Sequence, residues 1–169
     1  MSKKTGRILR MITDIIFVLL AGMLIIMYLP GVAGFKSYRV LSASMEPEYH
    51  VGSLVYVKHA DENAINIGDV ITFHINENTL VTHRVVERDA TRNGFITKGD
   101  ANEVNDGGLV NYDNIVGKVV FSLPLLGYVS SFVSSIYGKC VVIVMLLIIT
   151  GMEILSDRLD KINRRSVLE

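Results

Sequence analysis

No charged residue interrupts the chain from Ile15 to Phe35, and a run of that length wound as a helix crosses the roughly 30 Å hydrocarbon core of a bilayer. A second uncharged run, Cys140–Met152, is shorter, but carried back to Ile136 and on to Leu155 it reaches the roughly 20 residues a span needs, with Lys139 snorkelling toward one surface. Lys3, Lys4, Arg7 and Arg10 precede the first run, and Arg158, Lys161, Arg164 and Arg165 follow the second. Positive flanks mark the cytoplasmic side, so two spans with both ends inside leave everything between them outside. Asp14 falls at the cytoplasmic edge, where a carboxylate reaches headgroups or water and needs no functional role. A cleaved signal peptide is the competing reading, since a basic start and an apolar run end here in Val32-Ala33-Gly34; the run exceeds the roughly 7 to 15 residues of a typical signal-peptide core, which favours a retained anchor.

The segment between the runs has a different grain. From Gly52 to Val120, short β-branched stretches alternate with Gly, Asn and Asp, a pattern of strands and turns. Ser53–Lys58, Val70–Ile75, Leu80–Val86, Gly94–Lys98 and Ile115–Phe121 are the expected strands. Asn76-Glu77-Asn78 is expected to close a hairpin between the second and third. After Pro124, the residues Val129, Phe132, Val133, Ile136 and Tyr137 recur at helical spacing, as on a helix lying at an interface or packed on the sheet. The expected organisation is a basic tail over 1–11, a transmembrane helix over 12–34, a β-rich domain over 35–127, an interfacial and transmembrane helical segment over 128–155, and a second basic tail over 156–169. The fold class is mainly β: an antiparallel domain outside the membrane, flanked by N-terminal and C-terminal transmembrane helices.

Several function classes drop out. With 17 basic and 17 acidic residues no positive field favours nucleic acid, and no basic run is interleaved with aromatics. Cys140 is the only cysteine, which rules out an internal disulfide, and its apolar surroundings predict a buried structural thiol. The polar stretch from Asp100 invites a calcium loop, but an EF-hand needs Gly at its sixth position and Glu at its twelfth, where this chain has Asn105 and Asn111. No metal or cofactor is implied.

What remains is a set of residues suited to acyl transfer. Pro47 stops a helix from continuing past Ser44-Met45-Glu46, so Ser44 is expected on a turn. About nine residues separate it from Phe35, a reach of at most about 30 Å, which keeps it near the membrane surface. On the strand around His83, a period of two places Val81, His83 and Val85 on one face and Thr82, Arg84 and Val86 on the other. His83 is thereby either a hydrogen-bonded core histidine or a base. His74 falls on a polar side with Val70 and Thr72, and His50 and His59 lie in turns. Asp100 and Asp106 supply carboxylates. A serine hydroxyl needs an imidazole to take its proton, and the imidazole needs a carboxylate to fix its tautomer.

The motifs Ser42-Ala43-Ser44-Met45-Glu46-Pro47, Thr82-His83-Arg84-Val85, Lys98-Gly99-Asp100-Ala101-Asn102 with Asp106, and Gly117-Lys118-Val119 before Pro124 together resemble the type I signal peptidases. A histidine where the common bacterial branch has lysine makes the chain similar to the endoplasmic-reticulum-type branch, found also in archaea and some Gram-positive bacteria. The resemblance implies Ser44 as nucleophile, His83 as general base, Asp106 as the residue orienting it and Asp100 as a supporting carboxylate. It also implies an oxyanion hole from Ser42 and the Ser44 backbone N–H. Ala43 stands where many members have glycine. The implied activity is a membrane-bound serine endopeptidase cutting secretory preproteins after small residues, and the implied surroundings are membrane lipid and possible accessory subunits. Two alternatives stay open: a non-catalytic membrane-anchored β-domain that binds or scaffolds exported proteins, and a Ser/Lys protease using Lys58 or Lys98.

Overall fold

The computed structural model of the chain describes residues 3–165, with side chains for 7–158 except residue 9. The expected cytoplasmic charges on Lys3, Lys4, Lys161, Arg164 and Arg165 lie outside the described side chains. Two compact units form, one running up to Met27 and resuming at Phe132, the other Tyr28–Ser131.

The first unit is built from helices, whose ends, including most of the short helix after Pro124, run on into the second. Helix α1 covers Lys3–Val32, and Gly34 ends it with φ +83°, the left-handed position that stops helices at little steric cost in glycine. Helix α2 is Leu126–Ser134 and α3 is Ile136–Arg165. The expected single helical segment is thus broken at Ser135. Its hydroxyl accepts from the Gly138 N–H at 3.0 Å, an N-cap that starts α3 afresh, so Ile136 and Tyr137 belong to α3. Arg10–Val32 and Ile136–Arg158 are each 23 residues long and apolar enough to cross a membrane. Between α1 and α3, Arg10 pairs with Asp157 and contacts the Ser156 hydroxyl. Cys140 is exposed, contrary to expectation: its apolar neighbours run along the same helix and do not pack over the thiol.

The second unit is an antiparallel sheet. Its strands are β1 Phe35–Arg39, β2 Leu54–Lys58, β3 Val70–Asn76, β4 Thr79–Asp89, β5 Gly94–Lys98, β6 Val110–Asn111 and β7 Ile115–Leu123, in the order β1-β2-β7-β3-β4-β5-β6. The five expected strands are present. β1 and β6 were not expected: the stretch from Phe35, read as a bare tether, pairs along β2 from Phe35↔Lys58 to Arg39↔Leu54. Buried residues lie on both faces. Ile71, Phe73, Val85 and Phe95 form one cluster with Ile65 and Val110, while Val55, Val57, Val70 and Val119 form another around Met45. Val70 and Thr72 are therefore buried, so the side expected to be polar is largely covered, and only toward its end does His74 reach solvent.

Candidate active site

Strand β4 sets the geometry. Beside β3, His83 lies opposite Ile71 and Arg84 opposite Val70, and the alternation of side chains sends the two neighbours to opposite faces. β5 pairs with β4 only from Arg84 onward, so among the described residues Thr79–His83 has no strand on that side. The chain leaving β5 turns at Gly99 and passes beneath the serine segment, where the Ala101 N–H donates to the Ser44 carbonyl at 2.9 Å. A Cβ on Gly99 would stand 2.7 Å from that same carbonyl oxygen, so the approach requires glycine.

Ser44 sits in a single 3-10 turn, Ala43–Met45, entered from an extended Ser42 and left through an extended Glu46, the conformation that a following proline favours. Met45 is 2% exposed and packs in the cluster with Val55 and Val57. An apolar anchor one residue after the serine thus holds the turn against the core while the hydroxyl points away.

Three of the expected residues meet. Ser44 Oγ lies 3.1 Å from His83 Nε2, and His83 Nδ1 lies 2.7 Å from Asp106 Oδ2. A carboxylate can only accept, so Nδ1 carries the proton and Nε2 is left to accept from the serine hydroxyl. The His83 side chain is 11% exposed and that of Asp106 25%, an environment in which a charge pair is less screened than in water. Ser42 Oγ is 3.3 Å from Ser44 Oγ.

Asp100 stands apart from this set. Its two oxygens accept from Arg84 Nε at 2.8 Å and Nη2 at 2.6 Å, while Arg84 Nη1 donates to the Gly68 carbonyl at 2.7 Å. The hydrogen bond that Arg84 donates to Asp100 raises the Arg84 pKa despite partial burial. Asp100 therefore fastens the Gly99–Ala101 turn to strand β4 and does not touch the histidine. His50 is exposed and contacts Glu46, and His59 is exposed. Lys58 lies over the Phe35 ring, and Ser44 bonds to neither Lys58 nor Lys98.

Two cavities open on either side of the His83–Val81 ridge. One, about 360 Å³, is lined by Ser42, Ser44 and His83 and walled by Tyr38, Leu41, Leu80 and Val81. The other, about 320 Å³, lies beside Asp106 against Phe73, Thr97 and Leu109. Sequence reasoning missed two partners, Thr97, whose hydroxyl reaches Asp106, and Arg84; their signals were a hydroxyl on a buried strand face and a charge beside the histidine.

Residues 9–96 match the family described as signal peptidase, peptidase S26, a stretch that contains Ser44 and His83 and ends before both aspartates. Signal peptidase I W of Bacillus subtilis (strain 168) is 38% identical over 133 residues, 69% of each chain. The signal peptidase complex catalytic subunit SEC11C is 35% identical over 102 residues in dog and in human, 54% of this chain and 53% of the relative, so the chain matches about half the length of these subunits. With a family match over residues 9–96 and a bacterial relative 38% identical over 69% of each chain, the chain belongs to the signal peptidase family, peptidase S26, and is an enzyme of the serine-protease type.

Proposed function

We propose that this protein is a membrane-bound endopeptidase that removes N-terminal signal peptides from exported preproteins, cutting after small residues, with Ser44 as nucleophile, His83 as general base and Asp106 as its orienter. The observation that carries this reading is the continuous chain of contacts from the Ser44 hydroxyl through His83 to Asp106, at 3.1 and 2.7 Å. His83 Nε2 takes the hydroxyl proton as Oγ attacks the scissile carbonyl, and the imidazolium formed is stabilised by Asp106. The same Nε2–H then protonates the leaving amine, and a water, activated by the imidazole, hydrolyses the acyl ester. Ser42 and the Ser44 backbone N–H are the groups assigned to the developing oxyanion, where one donor is worth about 3 kcal/mol.

The substrate is an extended peptide. The unpaired edge of β4 offers backbone donors and acceptors over Thr79–Thr82, and the cavity between that edge and the Tyr38–Ser42 segment has mainly apolar walls. A peptide laid there as an added strand gains main-chain hydrogen bonds and seats alternate side chains in the cavity. The two candidate spans, with Arg7, Arg10 and Arg158 at their outer ends, support a topology with both termini cytoplasmic and the β unit outside.

The test is cleavage of a preprotein by the full chain in detergent, followed by sequencing of the new N-terminus. Wild type should cut after the small residues and Ser44→Ala should be silent. Equal cleavage by both would remove Ser44 from the mechanism.

A further inference from the structure

Thr97 is fully buried, in β5 opposite Val85, and paired residues share a face, so it looks out on the same side as His83, two positions away along β4. Its neighbours on that face are Phe95 and Val85, both without exposed surface. Valine would fill this place with the same shape, favour the strand as strongly and bury no polar atom. The hydroxyl is therefore not explained by packing. It donates to Asp106 Oδ2 at 2.6 Å, the same oxygen that lies 2.7 Å from His83 Nδ1, and the Thr97 carbonyl accepts from the Asp106 N–H at 2.8 Å. The aspartate is followed by Gly107 and Gly108, where an added Cβ would meet nothing within 4 Å, so no side chain of these two residues buttresses the carboxylate.

We infer that Thr97 is a positioning residue: its side chain and carbonyl grip Asp106 at two points and hold Oδ2 toward the imidazole, so that His83 keeps its Nδ1–H tautomer and presents Nε2 to Ser44. The inference rests on the proposed roles of Ser44, His83 and Asp106. Two donors converging on one oxygen leave the carboxylate a single orientation. With one donor removed, the group can rotate and present either oxygen, or neither, to the ring.

The test uses full-length protein in detergent on a preprotein. Thr97→Val should lower kcat about tenfold, the scale expected for one charge-assisted hydrogen bond, with KM unchanged, because Thr97 lines no part of the substrate cavity beside Ser44. Thr97→Ser should restore most of the rate. In an Asp106→Ala background, Thr97→Val should change kcat less than twofold, since the group it positions is gone. A full tenfold loss in that background, or an unaltered rate for Thr97→Val in the wild type, overturns the inference. If Thr97→Val does not fold, Thr97→Cys, with its weak donor, replaces it against Thr97→Ser, and equal rates for those two overturn the inference as well. Wild type and Ser44→Ala cleaving alike would instead strike the proposed function, so the two failures are told apart.

Discussion

Asp106 and Asp100 sit six residues apart in sequence and serve neighbouring residues of one strand, yet they do different work. Asp106 faces a histidine, a group whose charge comes and goes, and is itself gripped by Thr97. Asp100 faces Arg84, whose charge is permanent, and meets it with both oxygens in the planar fork geometry that only a guanidinium supplies. The first arrangement suits a proton-transfer step. The second fixes the Gly99–Ala101 turn, whose Ala101 N–H donates to the Ser44 carbonyl. Position along the chain says little about which carboxylate acts on the imidazole; the face of β4 toward which each carboxylate points decides it.

That contrast can be broken from either side, and the largest effect is expected on the His83 face. His83→Ala or Asp106→Asn should cut kcat on the order of a thousandfold while the fold persists, read from kcat and a thermal melt. Full activity in Asp106→Asn would erase the distinction between the two carboxylates. On the opposite face, Asp100→Asn should act first on stability, lowering it by about 1 to 3 kcal/mol because Arg84 loses a charged partner yet keeps some access to water, with the melting midpoint falling by several degrees. A rate loss as deep as that of Asp106→Asn with an unaltered midpoint would reverse the assignment.

The smallest effect concerns Tyr49, close to the Arg84–Asp100 pair. Burial, then the Glu48 carboxylate, raises its phenol above the usual value. A raised phenol means that the folded state favours the protonated form, so its contribution is complete below about pH 10, the unfolded value, and is lost as pH climbs through the folded one. Melting midpoints should decline on that alkaline limb, and Tyr49→Phe should flatten the decline. An identical decline in the variant would mean that the stabilisation lies elsewhere.

The sequence made the helices and most of the sheet legible because long uncharged runs and β-branched alternation are local properties. β1 escaped notice because Lys36, Ser37 and Arg39 break any apolar pattern; an edge strand with polar side chains is defined by its partner and not by its composition. The covered side of Val70 and Thr72 was missed for the same reason, since Met45 and Val119 approach from distant parts of the chain. In the site, the residue types were legible but their meeting was not. Ser44 and His83 are 39 positions apart, and Asp106 lies 23 beyond His83, so their contact depends on strand register and on the turn at Gly99. Thr97 carried no motif; a buried hydroxyl becomes informative only once its neighbours are known to be apolar.

On the side of β4 away from β3, Thr79–His83 has no strand among the described residues, which carries a consequence for breadth of use. An edge reads amide and carbonyl groups, which every polypeptide displays at the same spacing whatever its side chains. On the proposed reading, a client would need only to be extended and slim where it meets the cavity wall. On that reading the strand would tolerate sequence diversity among clients, and discrimination would fall to the few positions that face Leu80, Val81 and Ser44.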